Sequence, residues 1–184
     1  MKEKDIEAIN RYWITAFGDK MYIDANDSET VQGKESLLSS LSENITQVEV
    51  FYAWLRHECL SKNADGLDYM LTLGGIFDLF DKESLEILQM IACDDWHHDA
   101  ENLVRIFEEH PTDITCKILY DMALSRYPNQ YYSDDENGCV TRKCVWALWR
   151  LGDIDSIRAL ASSGDKIVEG YAKHQLEYLE EKTT

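Results

Sequence analysis

From about residue 84 onward, apolar side chains recur along the chain with helical spacing. Leu85, Leu88, Ile91 and Ala92 make one stripe, and Ala100, Leu103, Val104 and Phe107 make the next at i, i+3, i+4 and i+7. Pro111 stops this second run, and Thr112 is placed to cap a third that carries Ile114, Ile118, Leu119, Met122 and Ala123. Beyond a polar stretch, Cys144, Ala147, Leu148 and Leu151 repeat the same spacing. Gly152-Asp153 and Gly164-Asp165 then read as stop-and-start pairs, in which glycine closes one helix and aspartate caps the next. Ile154, Ile157, Leu160 and Ala161 fill the short segment between them. Ile167, Tyr171, Ala172, Leu176 and Leu179 mark the last. The pattern predicts helices over 84–93, 96–109, 112–126, 139–151, 153–163 and 165–181, paired in antiparallel fashion because most of the turns are so short.

The first half is less regular. Residues 3–17, 34–44, 47–62 and 66–81 also read as helices, with 18–33 as a polar, turn-rich loop. In VEVFYAWLRHECL, the side chains of Val48, Tyr52 and Leu55 share one side, with Phe51, Trp54 and Cys59 nearby. LDYMLTLGGIFDLF is apolar nearly all round and reads as a buried helix, with Gly74-Gly75 allowing close approach or a kink. The expected architecture is a single all-α domain over 1–184. In it a HEAT-like α-solenoid of antiparallel helix pairs, residues 84–184, is closed by an N-terminal helical cap, residues 1–83.

Composition sharpens this picture in three ways. Two prolines and nine glycines supply few turns for a β-rich chain, which supports the helical reading. A net charge of −17 sets aside nucleic acid and anionic membranes as partners and favours a basic protein, such as a toxin that itself binds nucleic acid. The five cysteines, Cys59, Cys93, Cys116, Cys139 and Cys144, show no C-x-x-C or zinc-finger spacing, as expected of reduced thiols in a cytoplasmic protein. The opening MKEKDIEAINRYW lacks an apolar signal core, and no run approaches a membrane span, so a cytoplasmic location is expected.

Residues 142–176, RKCVWALWRLGDIDSIRALASSGDKIVEGYAKHQL, resemble a HEAT repeat: a helix ending in W-A-L-x-x-L-G, a short helix, a Gly-Asp turn and a closing helix with Y-A-x-x-x-L. With DDWHHDAENLV and NQYYSDDENG preceding RKCVWAL in that order, roughly residues 90–180 look like small HEAT-like bacterial immunity proteins of polymorphic toxins, including contact-dependent growth inhibition systems. The resemblance implies a non-enzymatic protein that binds and inhibits a cognate toxin, with no cofactor.

Two stretches carry the candidate chemistry. DDWHHD, residues 94–99, places carboxylates around Trp96, His97 and His98. On a helix adjacent histidines point about 100° apart, so His97 and His98 cannot chelate one ion together. Asp94 or Asp95 is expected instead to cap a helix beginning near Trp96, with Asp94, Asp95, Trp96, His97 and His98 as candidate partner contacts. The His98-Asp99 dipeptide also allows an HD-like metal phosphohydrolase, with His57 and Asp121 as outlying ligands; a generic HEAT-like adaptor is the other alternative. The second stretch is the loop at 127–138, the longest interruption in a region of short turns. There Tyr131 and Tyr132 beside Asp134, Asp135 and Glu136 offer aromatic anchors and attraction to Lys or Arg.

Overall fold

The computed structural model describes residues 1–17, 28–128 and 138–182, and these form ten helices and no strand. They are α1 (Glu3–Phe17), α2 (Ser28–Ser40), α3 (Val48–Leu60), α4 (Ala64–Phe77), α5 (Lys82–Ile91), α6 (Ala100–Glu109), α7 (Thr115–Leu124), α8 (Gly138–Arg150), α9 (Ile154–Leu160) and α10 (Lys166–Lys182). The chain divides into two compact units, Met1–Phe80 and Asp81–Thr184. None of the described helices is long and apolar enough to cross a membrane.

In the first unit α1 packs on α2 and α4, and α3 packs on α4. Ile9, Ile45, Phe51, Leu55, Leu67, Met70 and Leu73 are fully enclosed there. Asp5 is buried with them and is satisfied by Ser42, whose backbone N–H and hydroxyl donate to it at 2.6 and 2.8 Å. Such an arrangement ties the start of α1 to the 41–45 turn. Gly74 is needed where α4 passes the Phe51 and Phe80 rings, because a Cβ there would run into the Phe80 ring. Helix α2 starts well inside the stretch expected to be loop. Its buried residues are Thr30 and Leu37, with Leu41 buried just past its end, and the polar Thr30 hides the helical period from an apolar count.

In the second unit α8 is the hub, packing on α6, α7, α9 and α10. Leu103, Leu119, Leu148 and Leu160 are all fully buried, each contributing about 1.5–3 kcal/mol by leaving water. The two glycine-aspartate pairs work as the pattern predicts. Gly152 and Gly164 adopt φ of +81° and +85°, Asp153 accepts the Ser156 N–H, and Asp165 accepts those of Ile167 and Val168. Three expectations shift. Helix α6 begins at Ala100 rather than near Trp96, and α7 begins at Thr115, leaving Ile114 half-exposed. Thr112 instead uses its backbone N–H to bond the Thr115 hydroxyl at 2.7 Å. Helix α10 turns Val168, Ala172 and Gln175 inward in place of Ile167, because a polar residue completes the buried stripe.

Candidate functional site

The DDWHHD segment is a turn between α5 and α6, and most of its polar groups face inward. Helix α5 ends at Ile91 and leaves carbonyls without helical partners. His97, fully buried, places Nε2 at 2.9 Å from the Ile91 carbonyl, while its Nδ1 accepts the Asp99 backbone N–H at 3.3 Å. That pair of contacts fixes the neutral tautomer with the proton on Nε2. Burial also depresses the His97 pKa below its ordinary value of 6.5, outweighing the opposing pull of the Ile91 carbonyl and of Asp94. The adjacent carbonyl, of Ala92, accepts the Tyr127 hydroxyl at 2.9 Å. Tyr127 is itself buried, and that burial holds its phenol far above the usual range.

The remaining residues of the turn support this bonding. Asp94 accepts the Trp96 indole N–H at 2.8 Å, and the Trp96 ring stands edge-on to His97 with centroids 5.2 Å apart. Asp94 therefore holds an indole, whereas the expectation was a helix cap. Asp99 is the residue that precedes α6: its carbonyl accepts the Leu103 N–H, and its side chain accepts from Asn102 at 3.0 Å. His98 Nε2 lies 3.9 Å from Asp99 Oδ2, too far for a hydrogen bond between those atoms. Of the five candidate contacts here, Asp95 is exposed, Asp94, Trp96 and His98 are partly so, and His97 presents no surface. For the hydrolase reading, Asp121 is paired with Lys117 at 2.6 Å. Among the described residues no three His, Cys, Asp or Glu side chains converge as a metal-binding group. Tyr131, Tyr132, Asp134, Asp135 and Glu136 lie outside the described residues.

A second surface is one the pattern of motifs passed over. Between α6 and α8 lies a groove of about 320 Å³ lined by Val104, Arg105, Glu108, Arg142, Lys143 and Trp146. The Trp146 side chain is 44% exposed, so it remains available from outside. Its ring lies 4.8 Å from that of Trp149, which in turn meets Tyr178 edge-on at 6.2 Å. Lys143 reaches Glu101 at 2.5 Å and Arg150 reaches Glu108 at 2.7 Å, so two cations are held by carboxylates on the facing helix. Burial works to raise the Glu101 pKa, but the Lys143 and Cys139 hydrogen bonds and the charges of Lys143 and Arg142 bring it below the ordinary value. The signal for this face was present in R-K-x-x-W-x-x-x-R, whose helical spacing sets Arg142, Lys143, Trp146 and Arg150 off the buried stripe.

Compared with known protein families, with curated proteins and with solved structures, the chain matches none.

Proposed function

We propose that this chain is an immunity protein: a HEAT-like helical module that neutralises a cytoplasm-acting toxin by stoichiometric binding. The toxin is a basic nuclease domain. The observation that carries this reading is the excess of 35 acidic over 18 basic residues on an all-helical scaffold. Such a surface draws a basic protein in at long range and competes with the phosphates that the nuclease would otherwise bind. The HEAT-like stacking of helix pairs belongs to the same proposal, supported by α8 touching both its neighbours in sequence and the helices beyond them. Asp94, Asp95, Trp96 and His98 at the α5–α6 turn, with Tyr131, Tyr132, Asp134, Asp135 and Glu136, form the proposed contact set; His97 acts only from beneath. The hydrolase alternative draws less support from the geometry, since His98 Nε2 and Asp99 Oδ2 stand 3.9 Å apart and Asp121 is paired with Lys117.

The test is co-expression with the C-terminal toxin domain of a large secreted protein encoded beside this chain. The expected result is restored growth and a 1:1 complex whose association slows between low and physiological salt, with dissociation changing less. Growth arrest unrelieved by the chain, or a complex formed at a salt-independent rate, would remove the support for this reading.

A further inference from the structure

The α6–α8 groove departs from the acidic balance of the chain as a whole. Anionic side chains outnumber cationic ones nearly two to one along the sequence, yet Arg105, Arg142, Lys143 and Arg150 gather around a half-exposed tryptophan, three of them paired with Glu109, Glu101 and Glu108. Two features make the surface ready to bind. The pairs Lys143–Glu101 and Arg150–Glu108 hold two long side chains between α8 and α6, so little of their conformational freedom remains to be lost. Trp146 rests on Trp149, and Trp149 on Tyr178, which keeps an apolar ring displayed beside Val104. Tryptophan and arginine are the side chains most concentrated at the energetic centres of protein interfaces.

We propose that this groove is a second binding surface, and that its occupant is an acidic peptide segment of a partner protein carrying one bulky apolar side chain. The apolar side chain sits on Trp146 above the buried Val104, and the flanking carboxylates meet Arg142 and the remaining N–H donors of Arg105 and Lys143, which Glu109 and Glu101 already hold in place. A groove of about 320 Å³ accommodates one or two side chains, which suits a short linear segment better than a folded domain. The long-range field of a chain at −17 opposes an acidic ligand, so contact energy within the groove and not steering determines binding. This surface does not depend on the toxin reading, which concerns a basic partner and other residues.

The experiment pans a displayed library of random dodecapeptides against the full chain and measures synthetic versions of the enriched peptides by tryptophan fluorescence. The enriched peptides are expected to carry Asp and Glu around an aromatic residue or leucine. Their affinity is expected to fall at least about tenfold with Trp146→Ala and with Arg142→Glu. Both residues are surface-exposed, so both variants keep the parental thermal midpoint within a few degrees. Enrichment of basic peptides would overturn the proposal. So would the absence of enrichment over the uncoated surface, or acidic peptides whose affinity neither substitution alters.

Discussion

The α5–α6 turn and the α6–α8 groove invert the expectation one forms from residue types. The turn concentrates histidine, tryptophan and aspartate in six positions, yet its reactive groups bond one another and the backbone. The groove is built from a run that reads as an ordinary amphipathic helix, and it is this run that displays an aromatic ring and ordered cations outward. The difference lies in where hydrogen-bonding capacity is consumed. A short helix ending inside a domain leaves carbonyls that must be satisfied, and in the turn His97 and Tyr127 are recruited to do so. Helix α8 has no comparable debt on its outer face, where Lys143 and Arg150 bond side chains of α6 and leave Trp146 half-exposed between them.

The comparison is broken most directly at His97. His97→Ala removes a donor to the Ile91 carbonyl, an acceptor for the Asp99 N–H and a buried ring, so a loss of about 2–4 kcal/mol in unfolding free energy is expected. Chemical denaturation measures it, and a loss below about 0.5 kcal/mol would show that the turn is not held through this ring. The same residue sets a pH dependence whose sign follows from its depressed pKa. The unfolded chain binds the proton first, so stability is full above pH 6.5 and declines as pH falls below it toward the folded-state pKa. Glu101, Asp165 and Glu169, whose carboxyls are all held below their ordinary values, lose their contributions only at lower pH, below 4.5 and 3.8 for the glutamate and aspartate types. Between pH 7.5 and 5.5 the thermal midpoint of the parent should therefore drop while that of His97→Gln stays nearly flat.

Tyr127→Phe is a narrower cut. It keeps the ring and deletes only the hydroxyl that donates to the Ala92 carbonyl, leaving a buried acceptor unpaired at a cost of about 1–3 kcal/mol. Unchanged stability would mean that water reaches that carbonyl, and the turn would then be wetter than its packing suggests.

The glycine-aspartate turns sharpen the contrast from the other side, because there the sequence reads correctly. Gly152 and Gly164 occupy the left-handed region with open space where a Cβ would project, so only backbone strain is at stake. Gly152→Ala and Gly164→Ala should each destabilise by about 1 kcal/mol in thermal unfolding, with no change in packing. These turns are legible because every bond in them is local: the aspartate side chain meets N–H groups two or three residues on. The α5–α6 turn is illegible for the opposite reason, since the hydroxyl that completes it arrives from 35 residues away. The same distinction explains the helices. Uninterrupted apolar stripes such as Leu103, Val104 and Phe107 are legible, whereas the start of α2 and the first inward turn of α10 are not, because Thr30 and Gln175 complete a buried face. The α6–α8 face is hard to read from the sequence because its residues lie at helical spacing and form no dense polar cluster.

The smallest expected effect is the most telling about the groove. If Trp146 served the fold as His97 does, truncating it would cost as much as emptying a core position, about 3–5 kcal/mol. Its 44% exposure and its place outside the buried stripe of Cys144, Ala147 and Leu148 argue otherwise. What Trp146 loses as alanine is part of its contact with Trp149 and with the edge of Val104, so the expected cost is about 0.5–1 kcal/mol. Thermal unfolding followed by circular dichroism gives the number, and near-ultraviolet spectra report whether Trp149 keeps its packing against Tyr178. A loss of several kcal/mol would place Trp146 among the structural residues, and the groove would join the turn as a surface whose polar display serves the fold. A loss under about 1 kcal/mol leaves an exposed, pre-positioned ring that the fold does not require. Paired with a loss of about tenfold in peptide affinity in the same variant, that small cost would assign the ring to binding, because a residue that serves only the fold fails in the stability measurement and not in the affinity one.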